Sequence, residues 1–439
     1  GKHQGRRFGA LIRLQFHARL FIMKTVKEDS ILRVAAFRWL WAGQSISVLG
    51  SQISGLALPV LAVTLLGATE MQMGFLSAAE NAAFLLVGLP AGAWVDRWLK
   101  RRVMIFADLI RLVAVGIIPI LFFSGQLEVW HLFVTGAIIG VATVFFDVAY
   151  QSFIPILLQK DQINSANSAL ETTSQVSFIG GPAAVGVLLT FVKAPALMII
   201  DSISFLFSAI ALSFAKDKEV VVPKEDRRPL HTEIAEGLRF VISQPMIRII
   251  AITTAGTNFF GAMIWALSPL LFLRDLQMSP AIFGLMFSFG SIGGLLGGIA
   301  APKLARMIGE GPLITSSAVI SGAALLLIPF AALQPIEVVP YVVTTAEFIS
   351  SFTVLTYNIT QLSARQRICP PHLLGRMNAS IRAFIWGVMP LGSLLSGVLG
   401  SQFGILPTLW IGALGATVAG VAMLFSPMRK LKRLPDEAS

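Results

Sequence analysis

Charge is scarce in this sequence. Asp, Glu, Lys and Arg make up 13% of its 439 residues, where soluble domains carry about 25%. With 55% hydrophobic residues and a mean hydropathy of +0.77, a soluble globular protein is excluded. Cysteine is nearly absent: Cys369 stands alone, which excludes an intrachain disulfide framework and any Cys-based metal cluster. The histidines, His3, His17, His131, His231 and His372, are scattered, and none lies deep in an apolar run. No HExxH, Walker or glycine-rich nucleotide motif occurs, so nothing supports a membrane metalloprotease or an ATP-driven pump. No nucleophile, base and metal come together in the pattern. Neither a catalytic residue, a metal nor a cofactor is expected, and the chain does not read as an enzyme.

What fills the sequence is apolar segments of spanning length. They fall at roughly 37–66, 71–95, 103–123, 129–157, 168–192 and 195–215, and again at 247–273, 281–305, 312–333, 337–363, 379–401 and 406–427; each allows the ~20 residues a helical crossing needs. The expectation is an all-α membrane protein with twelve transmembrane helices. The net charge of +11 invites a nucleic-acid reading, but the cations sit in short turns between the runs. Even-numbered turns hold Arg97 to Arg102, Lys160, the cluster Lys216 to Arg239, Lys303 with Arg306, and Arg365, Arg367 and Arg376. The tail adds Arg429, Lys430, Lys432 and Arg433, whereas odd-numbered turns offer only Lys193 and Arg274. Basic turns face anionic cytoplasmic lipid. The partner is therefore a lipid bilayer and not nucleic acid, with both termini cytoplasmic in a bacterial-type inner membrane.

The chain divides six plus six. Residues 1–32 read as a cytoplasmic extension with no cleavable signal, in which Met23 looks like a natural initiator and residues 1–22 like an upstream addition. Residues 33–215 form a first six-helix bundle, 216–245 a cytoplasmic linker, 246–428 a second bundle and 429–439 a tail. Pro223 and Pro229 mark the linker as a tether, and Thr232 to Val241 as a short amphipathic surface helix. The halves are repeats: a displacement of about 210 residues puts Pro59 on Pro269, Gly74 on Gly284 and Gly88 on Gly298, and then Asn167 on Asn378, Asp147 on Asn358 and Gly186 on Gly397. Parallel six-span repeats indicate two bundles rocking about a central site.

Between the second and third runs lies Gly92-x-x-x-Asp96-Arg97-x-x-Lys100-Arg101. It resembles the loop signature of the major facilitator superfamily, the twelve-helix secondary transporters, with Leu99 where glycine is usual and Lys100 for arginine. The copy in the second half is degraded, with Arg306 in place of Asp96 and Glu310 in place of Lys100. The resemblance implies the major facilitator fold and a gate in which Asp96 caps and pairs near Arg376 and Arg382 when the cytoplasmic side closes; a plain topology role competes with it. Asp108 and Arg111, one turn apart in the third run, read as an ion pair linked to that network. Gly180, Gly181, Pro182 and Gly186 permit close approach and a bend, and resemble the Gly-Pro element of exporters in this superfamily. With Ala107-Asp108-Leu109-Ile110-Arg111, Ile154-Pro155, Ala166-Asn167 and Asp201-Ser202-Ile203-Ser204-Phe205, the pattern resembles the branch of enterobactin exporters and macrolide efflux proteins.

Glu80, Asp147, Asp201 and Glu347 are carboxylates inside runs, costly against lipid and so turned inward. All four are candidates for proton coupling: Glu80 and Glu347 stand nearest mid-membrane, where a carried proton would leave when water reaches them, with Asp147 and Asp201 next; Asp147, nearer the cytoplasmic end, reads also as gate. A satisfied structural hydrogen bond is the competing role for each. Gln44, Gln52, Asn258, Trp265, Asn358 and Gln361 are candidate cavity residues in a mostly apolar pocket. The expected function is secondary active export of drug-like or siderophore-like amphiphiles by a monomer, driven by protons, with a small molecule and protons as its partners. An importer or lipid transporter on the same fold is the alternative, and a non-transporting receptor or scaffold the weaker one.

Overall fold

A computed structural model describes residues 31–159, 162–216, 219, 230–370 and 373–433; a few side chains within helices, that of Asp96 among them, lie outside the description. The expected extension before residue 31, the linker residues 220–229 and the end of the tail fall outside it too.

Hydrocarbon offers no water to pair backbone groups, so each crossing must close its hydrogen bonds internally. The described residues accordingly form helices and no strand. Ten helices are long and apolar enough to cross a membrane. They are Ala35–Leu65 (span 1), Lys100–Phe123 (span 3), Val129–Leu157 (span 4), Ala194–Phe214 (span 6), Pro245–Asp275 (span 7), Pro280–Ile308 (span 8), Glu310–Ala331 (span 9), Val339–Ile368 (span 10), Arg376–Phe403 (span 11) and Ile405–Phe425 (span 12). Two more helical segments complete the twelve expected. Ile163–Leu188 (span 5) has the length but carries Asn167, Glu171 and Gln175. Span 2 is broken at Val87 into Glu70–Leu86 and Gly88–Asp96. Span 11 is broken likewise at Val388, between Gly387 and Met389. Between spans 6 and 7 the helix Leu230–Ser243 covers the amphipathic stretch.

The helix pairings are the same in both halves. Span 1 packs on 6 and 5, span 3 on 6 and 4, and span 2 on 4; span 7 packs on 12 and 11, span 9 on 12 and 10, and span 8 on 10. Local geometry repeats as well. Pro59 and Pro269 lack the N–H that a continuing helix needs, and each is followed by a widened turn, Leu61–Leu65 and Leu270–Asp275. Both turns close with a 2.8 Å backbone bond, Ala68 N–H to Ala62 O and Met278 N–H to Phe272 O. The third residue before the next span is left-handed in both, Gly67 at φ 62° and Gln277 at φ 50°. Glycine adopts that conformation freely, whereas a side chain there costs roughly 1–2 kcal/mol.

The halves meet along two equivalent seams, span 2 with span 11 and span 5 with span 8. At Gly74 an added methyl would lie 2.7 Å from the Ser393 carbonyl oxygen and from the Gly397 Cα. At the equivalent Gly284 it would strike the Pro182 carbonyl and approach the Gly186 Cα. Ser77 and Ser393 share a 2.9 Å hydroxyl bond, the Ala183 N–H donates to Ser288 Oγ at 2.7 Å, and Arg274 pairs with Glu70 at 2.7 Å. All of these lie toward the charge-poor end, where the odd-numbered turns sit. The seam geometry predicts that Ser77→Cys with Ser393→Cys, in a Cys369→Ser background, forms a disulfide under mild oxidant. With a protease site placed in 220–229, the cleaved halves should migrate as one band when oxidised and as two when reduced; two bands throughout would mean that the seam is not populated.

Candidate functional site

Two interior clefts meet where the seam of spans 2 and 11 passes mid-depth. One, about 330 Å³, is walled by Thr254, Asn258, Trp265, Tyr357, Asn358 and Trp386. Its polar groups are held in place: Asn258 Nδ2 donates to the Ile385 carbonyl at 2.7 Å, and the Thr254 and Tyr357 hydroxyls are 2.7 Å apart. A third volume of about 360 Å³ joins Gln52 and Pro182 to the other side of Trp265. The other cleft, about 360 Å³, opens at the basic end between Gly88 and Gly92, Asp147 and Gln151, and Asn378 and Arg382. Phe84 lines this one and Trp386 the first, with ring centroids 4.5 Å apart. The breaks at Val87 and Val388 lie beside that ring pair, where Leu85 rests on Gly387. Of the expected cavity residues, Asn258, Trp265, Asn358 and Gln52 thus come together. Gln44 and Gln361 do not line these volumes; each keeps a buried Oε1 without a hydrogen-bond partner.

The loop signature is spread over several contacts. Gly92 borders the basic-end cleft with open space above it. Arg97 lies elsewhere, at the rim of a groove of about 910 Å³ on the outer flank of spans 3 and 4, beside Arg102 and Phe106. Lys100 is buried, its Nζ 3.0 Å from Glu219 Oε1, while its backbone N–H donates to Glu219 Oε2 at 2.8 Å. Glu219 thereby caps the first turn of span 3, as a carboxylate at a helix N-terminus should. Arg101 reaches toward the Ser213 and Ala215 carbonyls at the end of span 6. At the equivalent start of span 9 the cap is backbone: the Glu310 and Gly311 N–H groups donate to Lys432 O at 3.0 Å and Leu431 O at 3.1 Å. Glu310 itself binds Arg367 at 2.6 Å. Arg376 pairs with Glu236 of the Leu230–Ser243 helix. Glu219 and Glu236 were missed because a linker looks like tether until its contacts are seen; an anion following each cationic cluster was their only signal.

In the first half Arg111 is a hub. It binds Asp108 at 2.5 Å, and its guanidinium lies 4.3 Å from the Phe146 ring centroid and 4.5 Å from that of Phe205. Its charge also acts on Asp147, which Arg382 faces from the other half. Asp201 is fully buried, accepting hydrogen bonds from Ser54 of span 1 and, at 3.1 Å, from Ser204. It clamps span 1 to span 6, and Gly50 leaves the room. Gly181 abuts Gln52, and Pro182 and Gly186 form the span 8 seam. Glu80 and Glu347 lie against small residues in the second and tenth spans, and neither has a charged neighbour acting on it. Among the described residues no group of His, Cys, Asp and Glu is arranged to hold a metal.

Residues 29–439 match the family described as transmembrane secretion effector. The chain is 26% identical over 422 residues to the multidrug efflux pump Tap of Mycolicibacterium fortuitum, covering 93% of this chain and 94% of that one. It is 24% identical over 405 residues to macrolide efflux protein A of Streptococcus pyogenes, covering 91% and 97%. Among solved structures, a bacterial homologue of the iron transporter ferroportin in an inward-facing state superposes with a TM-score of 0.72 at 15% identity, covering 91% of this chain and 100% of that one. A mutant of the nucleoside transporter NupG gives 0.72 at 14% identity, covering 89% and 100%.

Removing one partner of a buried ion pair costs roughly 3–5 kcal/mol, whereas replacing both by apolar groups is near neutral. Asp108→Ala should therefore lower the melting temperature in detergent, and Asp108→Leu with Arg111→Met should recover most of the loss. A double variant less stable than the single would show that Asp108 acts through something other than Arg111.

Proposed function

This chain belongs to the transmembrane secretion effector family of the major facilitator superfamily, and on that premise we propose that it exports drug-like or siderophore-like amphiphiles in exchange for protons. It is a secondary transporter with a small-molecule substrate. The observation that carries the reading is the interior volume in which Trp265, Tyr357 and Trp386 stand among the hydroxyl and amide groups of Thr254, Asn258 and Asn358. Such a mixed aromatic and polar pocket suits bulky amphiphilic molecules. The names of Tap and macrolide efflux protein A point the same way.

The positive-inside rule puts the basic end in the cytoplasm, with both termini there and the protein a monomer in the inner membrane. The structure is then an inward-facing state, its seams closed toward the periplasm. Substrate enters by the cleft of Gly92, Asp147 and Arg382 and passes Phe84 and Trp386 to reach Asn258, Trp265 and Asn358. Glu80 and Glu347, unpaired and interior, are the proton carriers. Asp147 is the gate, answering to Arg382 across the cleft. Asp201 is structural, because both of its oxygens are already bonded. Lys100 and Glu219 hold the signature loop that Asp96 completes when the basic end closes.

Inside-out vesicles with an acid interior test the reading, with ethidium, erythromycin and a catecholate siderophore as probes. Export predicts accumulation that an uncoupler abolishes. Equal uptake without a gradient would make the protein a facilitator, uptake under the opposite gradient an importer, and no movement of any probe a receptor or scaffold. An aromatic contact is worth roughly 0.5–1.5 kcal/mol, so Trp265→Ala should raise the half-saturating concentration about two- to tenfold.

A further inference from the structure

Each half of the molecule sets one glutamate against a glycine of a neighbouring helix, and the helix that supplies it differs. Glu80 stands on span 2 and lies on Gly136 of span 4, where an added methyl would sit 3.2 Å from the Glu80 Cγ. Glu347 stands on span 10 and lies on Gly290 of span 8, which has no room for a Cβ beside it. The displacement that puts Pro59 on Pro269 and Gly74 on Gly284 also puts Glu80 on Gly290. The displacement that puts Pro182 on Ser393 and Gly186 on Gly397 puts Gly136 on Glu347. Both registers are anchored by contacts, since Gly74 meets Ser393 and Gly397 as Gly284 meets Pro182 and Gly186. The second half thus repeats the glutamate–glycine pair of the first with its partners exchanged.

Packing alone would explain a large residue facing a glycine. It does not explain a carboxyl in both halves where no partner waits. Glu347 is 6% exposed and its Oε1 is buried without a hydrogen bond. Glu80 is half-buried and has no hydrogen-bond partner among the described residues. Among the described residues, no charged or titratable side chain acts on Glu80 from spans 4, 7 or 11, or on Glu347 from spans 8 or 9. An ionised carboxylate without a partner is strongly disfavoured in such a place. Both sites also adjoin a seam: Ser77, one turn from Glu80, bonds Ser393, and Ser288, two residues from Gly290, accepts from Ala183. Parting a seam changes the water that reaches the carboxyl beside it.

We propose that Glu80 on Gly136 and Glu347 on Gly290 are one proton-carrying site present twice, one per half, in which the carboxyl is defined by the helix interface and not by the helix that bears it. The purpose of the protons rests on the exporter reading, but their binding is measurable without transport. The purified full chain, in weakly buffered detergent with an indicator dye, is stepped from about pH 5 to about pH 9. Glu80→Gln and Glu347→Gln should each release about one proton fewer than the parent, and the double variant about two fewer. Glu347→Gly should lose the same proton, and adding Gly290→Glu should restore it; Glu80→Gly with Gly136→Glu is the matching exchange in the first half. Glutamine variants with an unchanged proton count, or exchange variants that elute as folded monomers yet regain no proton, overturn the proposal. Should one exchange fail to fold, the other and the glutamine pair still decide. The expected counts in a parent that shows no gradient-driven ethidium uptake would remove the exporter reading and leave the paired site standing.

Discussion

Helix association in lipid cannot draw on a hydrophobic difference, because lipid tails are as apolar as leucine; it relies on close packing. The rest of this architecture depends on two places where that packing reaches backbone contact, Gly74 on Ser393 and Gly397, and Gly284 on Pro182 and Gly186. These joints bring the two halves together at the charge-poor end. Toward the basic end the cleft of Gly92, Asp147 and Arg382 lies between the halves. The Glu70–Arg274 pair at the rim is partly exposed and contributes little next to the backbone seams.

The duplication conserves geometry and changes chemistry. The widened turns after Pro59 and Pro269, the left-handed residues Gly67 and Gln277 and the helix pairings coincide. Yet the first turn of span 3 is capped by a carboxylate and that of span 9 by carbonyls, and Lys100 is answered by Glu310. A helix N-terminus requires some acceptor but not a particular one, so each half solved the same backbone demand differently. The cluster of Asp108, Arg111, Asp147 and Asp201 belongs to the first half alone. The second half is instead rich in hydroxyls and aromatics, with Thr254, Tyr357, Asn258 and Trp265 around its cleft. Buried charge is thereby concentrated in one copy of the fold and the aromatic, hydroxyl-lined cleft in the other.

The crossings and the repeat were legible because each rests on local signals: apolar length, paired prolines and cations at alternate turns. Span 5 was legible by length, although Glu171 and Gln175 weaken its apolar signal. The Asp108–Arg111 pair was visible as one helical turn in sequence. The partners of Glu80 and Glu347 were not, because Gly136 and Gly290 are ordinary glycines until two helices are laid together. The breaks at Val87 and Val388 were hidden for another reason: valine neither lacks an N–H nor favours a turn. Gly88 follows one break and Pro390 lies just beyond the other, and in spans already rich in both residues these carry little information. Gln44 and Gln361, also polar and inside spans, each keep a buried Oε1 away from these clefts.

The placement of the breaks bears on how the halves can move. Spans 5 and 8 are continuous through their seam, whereas spans 2 and 11 are both jointed, at the same depth and facing one another. A continuous helix resists bending, and sharp changes of direction occur where its hydrogen-bond ladder is interrupted. Pro182, inside span 5 at the 5–8 seam, removes one N–H from that ladder. In the other seam, Gly88–Asp96 and the segment from Leu374 to Gly387 can pivot about Val87 and Val388 while Ser77 and Ser393 stay bonded. Those two pivoting pieces carry the signature loop on one side and Arg376 and Arg382 on the other, and Arg376 is tied through Glu236 to the linker helix. In the proposed cycle the basic end can close over a bound molecule by swinging the jointed pieces before the periplasmic seams release. That order prevents a continuous channel from forming through the membrane.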